Sequence, residues 1–347
     1  MRKVFSDLIE NIGTGYFSLA NKKATNANIF KEINKLQPAQ INDLYKLTQV
    51  FKSCLSTSEL ELIKATMSKQ TMRKTYKAKS LYKPLPQYEA LYNQFTENHD
   101  IYFDLLQAKD VSKTDVALVY VHGFSMRNYS REYKIFSKLI ANDKNLSVYT
   151  IQLPYHMSRA PQAQQYSGAY VFDSCPICTI ESLRQAVHDV SQLISTIKNS
   201  HKSLMVAGFS LGGYVTSMLA TCDNRADLYV IGQADSDLPT CMNNTTVCPG
   251  LQKNKSIWTN NKEKFQSFYE PLNLLNHKPA VTDNKIVSVA GKYDKLIEYK
   301  TVLKLREFFN SKYNIDYDAG HIGFVLEAKP VLTELLNAIA EEVEKNE

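Results

Sequence analysis

The sequence GFSLGG at positions 208–213 has the residue types of a nucleophilic site. It follows an apolar run at 204–207 that predicts a buried strand, and a helix is predicted to begin at Leu211. Small residues near Ser210 permit the tight strand-to-helix turn of a nucleophile elbow, which lifts the serine hydroxyl clear of the sheet. N–H groups at the start of the helix would stabilise a developing oxyanion. We therefore predict that Ser210 is the nucleophile of an acyl-transfer reaction.

A serine nucleophile needs a general base and a carboxylate that orients the base. His321 lies in a glycine-flanked turn, AGHIG, between the last predicted strand and the last predicted helix. A loop there can carry the imidazole over the edge of the sheet where the elbow lies, so His321 is the predicted base. Asp294 follows the predicted strand at 286–290 and is the predicted acid, with Asp235 and Asp237 as the alternatives after an earlier strand.

The sequence HGF at 122–124 predicts the second half of an oxyanion hole. It follows the apolar run at 116–121, which predicts a strand buried on both faces. We expect the backbone N–H groups of Phe124 and Leu211 to bind the oxyanion, and we expect His122 to brace the turn rather than to act as a base.

The elements that must position these residues begin at about residue 99. From there, strand-like and helix-like segments alternate about seven times without internal repeats. This pattern predicts an α/β domain over 99–347, with a mostly parallel, doubly wound sheet. An irregular segment at about 236–284 separates two predicted strands and is predicted to be a lid-like insertion.

Residues 1–98 are predicted to form a helical N-terminal extension packed on this domain. Apolar residues recur there at helical spacing, as in the set Leu60, Leu62, Ile63 and Met67. Packing is expected because exposed apolar stripes of that size would promote aggregation.

Composition and charge exclude several classes of protein. The chain has 347 residues, 44% hydrophobic and 22% charged, which is ordinary for a globular protein, and no apolar run approaches the length that spans a bilayer. Residues 1–80 hold 14 Lys and Arg against 6 Asp and Glu, without a recognisable nucleic-acid-binding motif. We expect no nucleic-acid partner. The basic segment is predicted either to be solvated or to contact an anionic membrane surface or a partner.

The N-terminal residues and the cysteines indicate a cytoplasmic protein. Asp7 and Glu10 interrupt the apolar core that a signal peptide requires, so an amphipathic helix is expected there. Six cysteines do not suggest a disulfide scaffold. Cysteines 175, 178, 241 and 248 could be incidental thiols, form a disulfide or redox pair, or bind zinc. Incidental thiols are favoured, and neither a metal nor a cofactor is predicted.

With these motifs in the order Ser, Asp, His, residues 99–347 resemble the α/β-hydrolases. More narrowly, LPYH at 153–156 with Arg159, and LRQAV at 183–187 with Asp189, resemble the α/β-hydrolase domain-containing 18 group and its bacterial relatives. The resemblance implies the α/β-hydrolase fold and a serine-hydrolase scaffold without a settled substrate. The sequence CPIC at 175–178 departs from the polar, glycine-containing turn expected in that group.

The expected function is hydrolysis of a small or lipid-like carboxylic ester or thioester through a covalent acyl-enzyme. Arg127 and Arg159 lie on loops at the same predicted edge and are candidates for contact with an anionic part of the substrate. The alternatives are an acyltransferase that uses the same residues and a catalytically idle fold that binds a membrane or a partner. The presence of Ser210, Asp294 and His321 together counts against an idle fold.

Overall fold

The computed structural model describes residues 59–172, 176–238, 241 and 269–323, together with residues 3, 6 and 7. In this part of the chain, nine strands form one sheet. In chain order the strands are β1 Glu61–Met67, β2 Thr71–Lys79, β3 Asp100–Ala108, β4 Val116–Val121, β5 Leu146–Ile151, β6 Ser203–Phe209, β7 Leu228–Gly232, β8 Ile286–Gly291 and β9 Tyr313–Tyr317. Their order across the sheet is β1-β2-β3-β5-β4-β6-β7-β8-β9. The pairs β1–β2, β2–β3 and β3–β5 are antiparallel. All the other pairs, from β5–β4 to β8–β9, are parallel.

Helices cover both faces of the sheet. Within the described ranges the α-helices are α1 Pro86–Tyr92, α2 Ser130–Asn142, α3 Pro176–Ile197, α4 Leu211–Ala220 and α5 Tyr299–Phe308. Short 3-10 helices occur at Thr96–His99, Met157–Arg159, Lys198–Ser200, Glu270–Leu272, Leu274–Asn276 and Asp283–Lys285. Helices α3, α4 and α5 contribute to one apolar core, and α2 contributes Phe136 and Ile140 to the core on the other face. Strands β5, β7 and β8 are buried along their whole length. Strand β4, whose apolar sequence predicts burial on both faces, has alternate residues that are only partly buried.

The register of the parallel strands brings their carboxyl ends to one edge. Val121 of β4 pairs with Ile151 of β5 and with Gly208 of β6. Gly232 of β7 pairs with Phe209, so the segments that follow β4, β5, β6 and β7 leave the sheet side by side. Loops at the carboxyl edge of an open α/β sheet are the usual place for a functional site. The alternation of strands and helices predicted after residue 99 is confirmed, and the helix predicted near the C-terminus lies outside the described residues.

The helix predicted around Leu60 to Met67 is wrong, because this segment forms β1 of a hairpin. The apolar residues that suggested a helix do not form a core face: Leu62 is 52% exposed, Ile63 48% and Met67 72%. Strand β2 pairs with β3 over nine residue positions, so the hairpin extends the main sheet. Except for residues 3, 6 and 7, the predicted helices before residue 59 lie outside the described residues.

Part of the predicted insertion is described, at 236–238, 241 and 269–284. The returning segment contacts the body of the domain, where Leu274 donates its N–H to the Ser236 carbonyl oxygen at 2.8 Å. The hydroxyl of Tyr214 in α4 donates to the Leu272 carbonyl oxygen. The role of the insertion as a lid remains a prediction.

Candidate active site

Ser210 occupies a sharp turn between β6 and α4. Its backbone has φ 59° and ψ −121°, which is rare for a residue other than glycine and holds the side chain on the outside of the turn. The turn closes because neighbouring backbones approach without side chains between them. A Cβ on Gly208 would lie 2.1 Å from the Gly212 carbonyl oxygen, and one on Gly212 would lie 2.0 Å from the Val121 carbonyl oxygen. The glycines of the GFSLGG sequence are therefore steric requirements of the elbow.

Ser210, His321 and Asp294 form one chain of hydrogen bonds. His321 Nε2 lies 2.9 Å from Ser210 Oγ, and His321 Nδ1 lies 2.8 Å from Asp294 Oδ2. An ionised carboxylate only accepts hydrogen bonds, so in the neutral imidazole the proton is on Nδ1. Nε2 is then an acceptor that faces the serine hydroxyl. This arrangement suits removal of the hydroxyl proton during attack.

The Asp294 carboxylate is fixed by the loop that follows β8. Its Oδ1 atom accepts the backbone N–H groups of Leu296 at 2.9 Å and of Ile297 at 2.8 Å. The side chain of Asp294 is 2% exposed and that of His321 is 11% exposed, so little water competes for their hydrogen bond. A carboxylate held on both oxygens can orient the imidazole and stabilise it when it becomes charged.

The alternative acids are placed differently. Oδ1 of Asp235 accepts the N–H of Asp237 at 2.9 Å, which closes a local turn after β7. Cys241 is close to these carboxylates, and its Sγ donates to the Leu296 carbonyl oxygen at 3.0 Å. Burial raises the pKa of the Cys241 thiol, and the Asp235 and Asp294 carboxylates raise it further. The thiol is therefore neutral at the edge of the site.

The turn after β4 lies against the elbow and is braced by His122. The buried His122 ring donates from Nδ1 to the Gly123 carbonyl oxygen at 2.8 Å, and its Nε2 accepts the N–H of Leu153 at 3.0 Å. Burial lowers the pKa of His122 to about 4, so the ring is neutral near pH 7. A Cβ on Gly123 would lie 3.5 Å from Ser210 Cβ, which places the HGF turn beside Ser210.

The two residues predicted to bind an oxyanion flank Ser210. Phe124 follows Gly123 directly, and its half-buried ring contacts Phe172, with ring centres 5.2 Å apart. Leu211 is the first residue of α4, and N–H groups in the first turn of a helix have no acceptor within the helix. The positive end of the α4 dipole adds to the attraction for negative charge at this point.

The two arginines predicted to contact substrate are in different environments. Arg127 is exposed on the loop after β4, where a substrate could reach it. Arg159 is completely buried and pairs with Asp189 of α3 at 2.7 Å. Its guanidinium also donates to the carbonyl oxygens of Gln152 at 2.9 Å and Asn98 at 3.2 Å. The prediction of a substrate contact for Arg159 is therefore wrong: its charge is compensated inside the protein by a partner that loop position alone could not reveal.

Gln233 was not predicted and contacts the site. Its side-chain Nε2 donates to the backbone carbonyl oxygen of His321 at 2.9 Å. The available sequence signal was its position two residues after the predicted strand at 228–231, where a polar side chain reaches the carboxyl edge of the sheet.

The structure bears on the metal and membrane expectations only through the residues that it describes. Cys175 and Cys248 lie outside them, so the zinc and disulfide alternatives stay open. Among the described residues, no group of His, Cys, Asp and Glu could hold a metal ion. The same part of the chain contains no helix with the length and apolar character needed to span a membrane.

Comparison of the sequence with known proteins finds relatives and does not establish a family. No family model matches the chain. Two uncharacterized proteins from two strains of Mycobacterium tuberculosis are each 26% identical to it over 222 residues, which is 62% of this chain and 51% of theirs. The chain thus spans about half the length of the curated relatives it matches.

Several solved structures share the fold at low sequence identity. Acetyl xylan esterase 1 from Thermoanaerobacterium sp. has a TM-score of 0.59 at 14% identity, covering 90% of this chain and 99% of its own. An acetyl xylan esterase from Paenibacillus sp. has a TM-score of 0.56 at 12% identity, covering 91% and 96%. A peroxisomal α/β-hydrolase from Saccharomyces cerevisiae has a TM-score of 0.50 at 15% identity, covering 80% and 91%. The chain has the α/β-hydrolase fold.

Proposed function

We propose that this protein is a serine hydrolase that cleaves a carboxylic ester or thioester through a covalent acyl-enzyme. The observation that carries the proposal is the continuous chain from Asp294 through His321 to Ser210, with contacts of 2.8 and 2.9 Å. Nucleophile, base and orienting acid come from three different strand ends, and their geometry is that of an acyl-transfer triad.

In the first half-reaction, Ser210 Oγ attacks the acyl carbonyl carbon and His321 Nε2 takes the hydroxyl proton. Asp294 accepts the Nδ1 hydrogen bond of the imidazolium that forms. The backbone N–H groups of Leu211 and Phe124 bind the oxyanion of the tetrahedral intermediate. When the intermediate collapses, the bond to the alcohol or thiol breaks, and His321 gives the proton to the leaving group.

In the second half-reaction, water replaces the leaving group. His321 Nε2 takes a proton from the water as its oxygen attacks the acyl-enzyme, and a second tetrahedral intermediate forms. Its collapse releases the carboxylic acid, and the proton returns to Ser210 Oγ. Protons and atoms balance over the cycle with water as the only co-reactant.

The surroundings of the nucleophile support an acyl substrate. Aromatic rings meet beside the HGF turn, where Phe124 contacts Phe172 and Tyr166 with ring centres 5.2 and 6.2 Å apart. These largely buried rings make the surroundings of the HGF turn apolar, which favours an acyl group of a small or lipid-like ester there. The names of the two acetyl xylan esterases that share the fold support an ester as the substrate class. The LPYH and LRQAV sequences support a relationship to the α/β-hydrolase domain-containing 18 group.

Labelling with a fluorophosphonate probe tests the proposal. We expect the full-length protein to form one adduct, located at Ser210 by mass spectrometry of peptides, and to release p-nitrophenol from p-nitrophenyl esters of graded acyl length. Ser210→Ala should remove the adduct and lower kcat by roughly 10⁶-fold, because no nucleophile remains. Its melting temperature should stay close to that of the wild type.

Ser217→Ala is the matched control. Ser217 lies in the same helix and donates to the Gly213 carbonyl oxygen at 2.9 Å, so its loss should leave labelling intact. Wild-type protein that neither reacts with the probe nor hydrolyses any ester would refute the proposal. An undiminished adduct in Ser210→Ala would refute the assignment of the nucleophile.

A further inference from the structure

Gln233 has an unusual backbone conformation directly after β7. Its φ is 49°, in the left-handed region that residues other than glycine rarely adopt, and it is 3% exposed. Its backbone N–H donates to the carbonyl oxygen of Val289 in β8 at 2.8 Å. A strained conformation persists only where the surrounding structure holds it, and such residues concentrate at functional sites.

The side chain of Gln233 connects β7 to the segment that carries His321. Its Nε2 donates to the His321 carbonyl oxygen at 2.9 Å and to the hydroxyl oxygen of Tyr317, the last residue of β9. A primary amide has two N–H donors, so one nitrogen serves both acceptors at once. Tyr317 is buried, which fixes the second anchor point.

The same segment is attached to the β8 side by its backbone. Lys292 donates its N–H to the Tyr317 carbonyl oxygen at 3.0 Å, and Tyr293 donates to that of Ala319 at 3.2 Å. A Cβ on Gly291 would lie 2.6 Å from the Ala319 carbonyl oxygen, so the two segments pack without space for a side chain. Gln233 adds a contact at His321 itself, two residues further along.

We propose that Gln233 is a positioning residue that holds the His321 peptide so that the imidazole lies between Ser210 and Asp294. The proposal rests on the proposed hydrolase function. Gln233 touches no reacting atom and acts through the carbonyl group of His321. The turn around His321 contains Gly320 and Gly323, and glycine permits many backbone conformations. An external hydrogen bond therefore selects the conformation in which the imidazole reaches both partners.

Two isosteric variants of Gln233 separate its hydrogen bonds from its volume. Gln233→Met keeps the length of the side chain and removes both donors. Gln233→Glu places a carboxylate oxygen against the carbonyl oxygen of His321, and an ionised carboxylate repels that group. The Tyr317 hydroxyl can turn to donate to the new carboxylate, so the repulsion acts at His321. We expect kcat to fall by up to about 10²-fold, the effect of displacing a catalytic group by about 1 Å, whereas KM changes little. Gln233→Glu should show the larger loss.

Gln107 provides the matched control. Its buried side-chain amide also donates to a backbone carbonyl oxygen, that of Val111, at 2.9 Å. It lies near the end of β3, which runs antiparallel to β5, so it is at the opposite edge of the sheet from Ser210. Gln107→Met and Gln107→Glu should lower the melting temperature and leave kcat per folded molecule unchanged.

A second readout does not depend on turnover. The proton shared by His321 Nδ1 and Asp294 gives a low-field resonance in the NMR spectrum, which His321→Ala assigns. The resonance should persist in the Gln107 variants and shift or disappear in the Gln233 variants. If the wild type hydrolyses no ester, the proposed function fails, and this resonance alone decides whether Gln233 positions His321.

Tyr317→Phe provides a test that leaves residue 233 unchanged. It removes the second acceptor of the Gln233 amide, and we expect a smaller loss of kcat in the same direction, with the resonance broadened. Wild-type kcat and an unchanged resonance in Gln233→Met and Gln233→Glu would overturn the proposal. Variants of Gln233 that lose only melting temperature, as the Gln107 variants should, would overturn it as well.

Discussion

Replacing Arg159 with methionine tests whether this residue supports the fold or contacts substrate. The side chains of Arg159 and Asp189 are 0% and 1% exposed, and their charged atoms are 2.7 Å apart. Methionine keeps the apolar stem of arginine and removes the guanidinium group. The carboxylate of Asp189 then remains buried without its cation, although Ser80 Oγ still donates to it at 2.6 Å.

The expected loss of stability follows from these contacts. Removing one partner of a buried ion pair costs about 3–5 kcal/mol, because the remaining charge stays away from water. The carbonyl oxygens of Gln152 and Asn98 each lose a donor, which adds about 1 kcal/mol apiece. The Ser80 hydrogen bond offsets part of this cost. We expect the free energy of unfolding to fall by about 4–6 kcal/mol, a large share of the roughly 5–15 kcal/mol typical of a protein.

Urea unfolding of the full-length protein at pH 7, followed by circular dichroism, measures this loss. The double variant Arg159→Met/Asp189→Asn removes both charges and should recover much of the stability, because no isolated charge remains. Arg127→Met is the matched control on an exposed arginine and should change stability by less than about 0.5 kcal/mol. A stable Arg159→Met protein with a raised KM for an anionic ester would refute the structural role and restore the substrate contact.

Two further predictions concern residues beside Ser210. Asp294→Asn should lower kcat by about 10⁴-fold, because the imidazole loses its orienting acceptor, whereas Asp235→Asn should change kcat little. Steady-state kinetics with one ester measures both variants. A large loss in Asp235→Asn and a small loss in Asp294→Asn would place the acid after β7 instead. Since burial lowers the pKa of His122 to about 4, the unfolded chain binds more protons there between pH 6.5 and 4. This histidine alone should lower the free energy of unfolding by about 3 kcal/mol as the pH drops through this window, and the buried His156, whose pKa is also lowered, should add to the fall. His122→Gln, which can still accept the Leu153 N–H, should remove that part of the pH dependence in urea titrations, and an unchanged slope would show that His122 is not buried in its neutral form.

The elbow could be predicted because its requirements are local. The positive φ of Ser210 and the close approaches at Gly208 and Gly212 follow from one short turn, so the residue types appear next to each other in the sequence. The meeting of Asp294 and His321 with Ser210 could be predicted by a topological rule. Asp294 and His321 each follow a strand, and parallel strands deliver the residues after them to one edge.

The β1–β2 hairpin could not be predicted from its apolar spacing. A helical pattern indicates a helix only if the apolar residues share a buried face, and burial depends on the rest of the molecule. Strand β1 is exposed along its length and obtains its hydrogen bonds from β2, whereas β2 obtains its order from pairing with β3. The hairpin is therefore determined by the free edge of β3, a partner about thirty residues further along the chain.

The motifs that suggested the narrower family resemblance support the fold and lie outside the chain of hydrogen bonds that joins Ser210, His321 and Asp294. The sequences LPYH and LRQAV, with Arg159 and Asp189, belong to a buried polar network that joins the loop after β5 to α3. Asn98 is a centre of this network: its carbonyl oxygen accepts from Arg159 and Gln185. None of these hydrogen bonds includes a triad atom. A related protein could therefore keep this network and lose Ser210, in which case the resemblance would predict the frame of the fold correctly and the reaction wrongly. The hydrolase proposal depends on the contacts between Ser210, His321 and Asp294, and the resemblance adds no independent support for the chemistry.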